Sequence, residues 1–208
     1  TVHGGAGMDN LQGGGANDTL YGDAGDDTLY GQGGDDTIYG GDGNDTIFGG
    51  ASVDTIYGEA GDDIIEGNGG SDIIDAGEGH NTVYGGADDD NIIAGAGNDI
   101  IYGNGGLDTI NAGDGNNSVY GGAGMDNITA GSGDDIIDGN GGADVMNAGD
   151  GNNTVTGGGD NDTITTGSGN DIILGNGGDD IINAGDGINT VTGGAGAVSY
   201  THLTLPTN

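Results

Sequence analysis

Carboxylates recur every nine residues along this 208-residue chain. One series runs Asp18, Asp36, Asp54, Asp72, Asp90, Asp108, Asp126, Asp144, Asp162 and Asp180. A second is interleaved with it: Asp9, Asp27, Asp45 and Asp63, then Asn81, Asp99, Asn117, Asp135, Asn153, Asp171 and Asn189. Acid–base or nucleophilic catalysis needs one positioned group whose surroundings differ from those of its neighbours, whereas these are 17 near-identical copies of one Asp. The one His inside the repeats, His80, occupies a turn position where other blocks hold Asn, Asp or Met, and reads as a tolerated surface residue. No Ser, His and Asp constellation stands out, so no catalytic residue is assigned. Hard anionic oxygens in this number, with no Lys or Arg to neutralise any of the 35 Asp and Glu, are ligands for a hard divalent cation. Calcium takes six to eight oxygens in flexible geometry and is the expected cofactor.

The net charge of -35 removes other classes of function. Without a cationic side chain the protein cannot neutralise phosphates, so nucleic acid and an anionic membrane surface are excluded as partners on electrostatic grounds. Glycine-rich turns without Lys exclude a phosphate-cradling P-loop, and the twelve-residue spacing of an EF-hand does not occur. There is no Cys, hence no disulfide and no thiolate chemistry. No apolar run approaches the roughly 18 residues that cross a bilayer, and no basic and apolar leader opens the chain, so an export signal is expected elsewhere than at its N-terminus.

The elements that position the carboxylates follow from the order of the residues. Composition alone, with 55 Gly and 4% aromatics, favours disorder, but blocks of nine beginning at Gly4 stay in register to Thr201, giving 22 units of the form G-G-x-G-x-D-x-U-x. Examples are Gly22–Tyr30 (GDAGDDTLY) and Gly31–Tyr39 (GQGGDDTIY). The apolar position eight is Leu, Ile, Val or Met from Leu11 to Val191 and breaks only at Tyr200. Three residues, x-U-x, have strand character with one side chain inward and two outward; the other six must turn, with Gly at positions one, two and four supplying positive φ and close backbone approach. Strand, turn, strand, turn gives an all-β solenoid with 18 residues per coil, two facing parallel sheets and about eleven coils, a rod about 50 Å long at one strand spacing per coil. From Gly67 a 36-residue period is superimposed, and the four Asn substitutions all fall in the second block of that unit.

The G-G-x-G-x-D-x-U-x blocks from Gly4 to Gly196 resemble the repeats-in-toxin (hemolysin-type) calcium-binding nonapeptide repeats. The resemblance implies a right-handed parallel β-roll that stays unfolded in calcium-poor cytosol, leaves a bacterium by type I secretion and folds on meeting calcium outside. Each ion is expected between the turns of blocks n and n+2, taking both Asp carboxylates and Gly carbonyls, with up to about 19 ions in all. Every site beyond Asp63 in the second series pairs one carboxylate with one amide and should be weaker, since ligand charge tunes affinity. Turns that lack the position-four glycine, at Ala16, Ser52, Asp88 and Asp160, are expected to be distorted.

Outward position nine carries Tyr21, Tyr39 and Tyr57 on one sheet and Tyr30, Phe48, Tyr84, Tyr102 and Tyr120 on the other. Cross-strand packing explains them; a stacking strip for an extracellular polysaccharide or protein partner is the other reading. Outward Thr-x-Thr triplets such as Thr154/Thr156 and Thr163/Thr165 are too interrupted by Tyr, Asp and Asn for an ice-binding face. Residues 1–197 are read as the array, a fragment of a longer secreted or cell-surface protein, and 198–208 as a non-repeat tail whose back-translation matches a sequencing adapter. The expected role is calcium-driven folding of a structural module with no activity of its own. The alternatives are the secretion or substrate-targeting module of an exported protease, lipase or polysaccharide-modifying enzyme, and the spacer of an adhesin.

Overall fold

The computed structural model describes residues 1–201, and within them all regular structure is strand, 23 in number. Strands alternate between a 12-stranded and an 11-stranded sheet, each strand pairing in parallel with the next but one in sequence. Partners are 18 residues apart throughout, as in Leu20↔Ile38 of one sheet and Ile47↔Ile65 of the other. The chain is therefore a parallel β-roll of about eleven turns, with one strand per turn in each sheet.

The period-two alternation of a strand explains the layering. In Thr37–Asp42 the residues Thr37 and Tyr39 are half-buried while Ile38 between them is fully buried. Repeated along the rod, this brings Leu11, Leu20, Leu29, Ile38 and their successors to Ile182 into one apolar core between the sheets. The strands of the 12-stranded sheet are five or six residues long as far as Thr55–Ala60 and shorten to three or four from Ile73–Asp75, as in Asn91–Ile93 and Thr109–Asn111. The change coincides with Ala in place of Gly at position one: Ala76, Ala94, Ala112, Ala130, Ala148 and Ala184 add their methyl groups to the core.

The position-nine aromatics form ladders. Tyr21, Tyr39 and Tyr57 stack at 4.9 Å between centroids, as do Tyr84, Tyr102 and Tyr120, with rings within 9° of parallel. Tyr21, Tyr39 and Tyr102 have both faces covered by neighbours, Tyr21 by His3 on its other side. Cross-strand packing uses the faces that a stacked ligand would need.

Of the tail at 198–208, Val198–Thr201 extends the 12-stranded sheet beside Asp180–Asn183; the rest lies outside the described residues.

Candidate metal centre

Each position-six side chain lies on one of the two edges of the roll, where the chain turns from one sheet to the other. From Asp27 and Asp36 onward, the Oδ1 of each position-six Asp or Asn accepts a hydrogen bond from the backbone N–H of the position-six residue one coil earlier. Along one edge this passes from Asp18 to Asp36, Asp54, Asp72 and on to Asp180 at 2.7–3.0 Å. Along the other it passes from Asp9 to Asn189 without a gap, Asn included, over the same range. The sequence-expected ligands are thus brought together in two continuous columns, and each carboxylate after Asp9 and Asp18 has one oxygen committed to holding the coils in register.

The other oxygen is not committed. Oδ2 is buried and has no hydrogen-bond partner in 16 of the 17 position-six Asp residues, Asp18 being the exception. Buried carboxylate oxygens without partners are costly, and 16 repeats of one orphan mark a common requirement. In the 14 aspartate blocks that have glycine at position one, that of Asp18 apart, Oδ2 lies beside it; the blocks of Asp99, Asp135 and Asp171 carry Ala94, Ala130 and Thr166 there instead. A Cβ on Gly49 would lie 2.7 Å from Asp54 Oδ2 and 2.9 Å from the Gly67 carbonyl oxygen; on Gly85 it would lie 2.5 Å from Asp90 Oδ2 and 2.9 Å from the Gly103 carbonyl oxygen. The glycine keeps open a cradle bounded by a carboxylate oxygen and a carbonyl oxygen of the next coil. Of the two roles expected of position one, positive φ does not apply, since Gly49 and Gly85 lie outside the left-handed region, and close approach does; Ala94 and Ala130 take that position in the blocks of Asp99 and Asp135.

Burial pushes these acids up. Desolvation, reinforced by Asp72 and Asp36, brings Asp54 to about 7; the same cause, with Asp72 and Asp108 as neighbours, brings Asp90 to about 7. Asp63, Asp72, Asp108 and Asp144 rise to about 6, again through burial first. The N–H bond from the preceding coil opposes the rise in each case and does not cancel it. Among the described residues no three His, Cys, Asp or Glu side chains converge on one point, so a cation here would draw on carboxylate and main-chain carbonyl oxygens together, the mixed hard donor set that suits calcium.

The family model of the RTX calcium-binding nonapeptide repeat (4 copies) matches residues 3–38, 21–56, 30–65, 49–83, 84–119, 120–155, 156–191 and 174–197. The chain belongs to this family. No individual curated protein matches it. Family and β-roll together support calcium binding, and the orphaned Oδ2 atoms, such as those of Asp54 and Asp90 beside Gly49 and Gly85, fit the ion.

Other features of this RTX array were not anticipated. Position five carries a second ladder of opposite polarity on the edge that holds Asp9. The N–H groups of Asn44, Asp62, His80, Asn98, Asn116 and Asp134 each donate to the position-five side chain one coil earlier, at 2.7–2.9 Å. His80 belongs to it, its Nδ1 accepting from Asn98 N–H at 2.8 Å; the residue is exposed, as expected, and it also links two coils. The recurrence of Asn and Asp at position five was the available signal. The turns without a position-four glycine are less altered than expected: Ser52, Asp88 and Asp160 keep positive φ at 83°, 72° and 77°, and only Ala16 leaves that region. Position two admits non-glycine residues at positive φ too, among them Asn68, Asn104 and Asn140.

Proposed function

We propose that the position-six aspartates bind calcium through Oδ2 together with turn carbonyls, and that this binding drives folding of the roll as the structural module of a secreted protein. The observation that carries the proposal is the buried, partnerless Oδ2 repeated in 16 turns. In the metal-free chain, stacking coils forces like charges to within a strand spacing of about 4.8 Å and desolvates them, which opposes folding. A divalent ion in the cradle turns that repulsion into attraction. At ten times its dissociation constant each ion contributes about 1.4 kcal/mol, a term repeated at every site and therefore able to decide whether the roll forms. The chain stays extended where calcium is scarce and folds where it is plentiful, a switch suited to export in an unfolded state. The module has no catalytic role.

Far-ultraviolet circular dichroism of the full chain during a calcium titration, with magnesium as control, tests this. A cooperative coil-to-β transition with calcium alone is expected; complete β-structure in chelator would overturn the switch.

A further inference from the structure

The four asparagines at position six differ from the aspartates in one respect that the geometry resolves. In each, Oδ1 takes the place of the carboxylate Oδ1 and accepts the N–H of the preceding coil, from Asp63, Asp99, Asp135 and Asp171. Nδ2 therefore occupies the direction in which an aspartate points its partnerless Oδ2. Asn117 Nδ2 donates to the carbonyls of Gly113, Gly115 and Ala130 at 3.2–3.3 Å. Asn153 Nδ2 donates to the Gly149 and Gly151 carbonyls, Asn81 Nδ2 to that of Ala94, and Asn189 Nδ2 to that of Ala184. Ala130 and Ala94 stand 13 residues after their asparagines, the same offset as the Gly67 carbonyl from Asp54 and the Gly103 carbonyl from Asp90. The amides of Asn81 and Asn117 thus bond to carbonyls equivalent to those of the aspartate cradle, while those of Asn153 and Asn189 bond to carbonyls of their own turn.

We infer that Asn81, Asn117, Asn153 and Asn189 are metal-free turns, in which the side-chain NH2 takes over the work of the cation. The inference rests on the calcium reading above and departs from the expectation that these positions are weaker ligands. Two arguments carry it. An NH2 group has no lone pair to offer a cation. Presenting Oδ1 instead would require the amide to flip, which would set NH2 against the buried N–H of the preceding coil and leave two donors facing each other. The backbone ladder pins the amide in the orientation that cannot ligate.

The test counts ions. Calcium-45 equilibrium dialysis at saturating calcium is run on the full chain and on the triple variant Asp90→Asn, Asp108→Asn, Asp126→Asn, whose turns keep Gly85, Gly103 and Gly121 at position one, with circular dichroism confirming the folded state. Metal-free turns require no more than about 17 ions in the parent chain, the number of aspartate turns, and about three fewer in the triple variant. A parent count near 19, or a triple variant that changes affinity while keeping the parent's number, would show that the amides ligate and overturn the inference. No calcium uptake by the parent would instead overturn the calcium reading itself. Side-chain amide hydrogen exchange of the calcium-saturated parent needs no variant: the NH2 groups of Asn117 and Asn153 should be protected, and exchange at the rate of free asparagine would refute their bonding to the turn carbonyls.

Discussion

Gly85→Ala isolates the cradle with one methyl group. Gly85 has a φ that any residue adopts, so alanine brings no backbone strain, and restricting the unfolded chain would by itself stabilise by about 0.4–1 kcal/mol. Against this, the new Cβ would stand 2.5 Å from Asp90 Oδ2, 2.9 Å from the Gly103 carbonyl oxygen and 3.2 Å from Asp90 Cγ, which forces both oxygens apart at an overpacking cost of about 1–3 kcal/mol. Loss of one ion at ten times its dissociation constant adds about 1.4 kcal/mol. The net expectation is a loss of about 1–4 kcal/mol in calcium, together with one ion fewer by equilibrium dialysis and a transition moved to higher calcium. Gly105→Ala is the control, since a Cβ there meets nothing within 4 Å; it should keep the ion count. If Gly85→Ala binds as many ions at the parent's affinity, the space between Asp90 and the Gly103 carbonyl is not a ligand position, and the assignment of Oδ2 fails with it.

In chelator, acid should favour the roll. Asp54 and Asp90 sit near 7 and several neighbours near 6 in the fold against 3.8 for the unfolded chain, so folding takes up protons; that stability is present in full below about pH 4 and lost as pH rises through 6 to 7. Circular dichroism of the metal-free chain should show β-structure growing from pH 8 to 5, and a flat profile would contradict the burial of these acids. Ser52→Gly removes a positive-φ serine from a turn and should raise stability in calcium by about 1 kcal/mol, read as a higher melting temperature; no change would mean that the turn carries no strain. Tyr102→Ala deletes two stacking contacts and Tyr84→Ala only one, so with each pair worth about 0.5–1.5 kcal/mol the former should cost more in thermal unfolding, and equal losses would show that the ladder does not contribute pairwise.

The period of nine, the inward apolar position eight and the 18-residue coil were legible because each repeats at every turn and because strand geometry allows one side chain inward among three. The Asp columns were legible for the same reason. Their wiring was not. That Oδ1 is spent on the N–H of the preceding coil and Oδ2 is left over depends on the direction of the turn, which spacing does not encode. Position-one glycine was expected to supply both positive φ and close approach, and only the second holds at Gly49 and Gly85, since sequence shows that a Cβ is absent and not what it would strike. The asparagines read as weaker ligands because composition counts an amide oxygen as a donor, while the ladder decides which end of the amide faces the carbonyls.

These details give the rod two unlike halves. Every hydrogen bond between position-six residues joins neighbouring coils, so the roll is a one-dimensional stack in which each coil is stabilised by the coils above and below. Up to Asp63 both edges carry aspartate in every turn; beyond it one edge alternates Asp with Asn while the other keeps Asp to Asp180. Between Asn81 and Asn189 fewer carboxylates have to be neutralised for each coil formed, and the side-chain amides donate to turn carbonyls. At limiting calcium that half pays less electrostatic penalty for folding, so order should begin there and spread toward Asp9, with the fully acidic coils closing last and giving the switch its steepness.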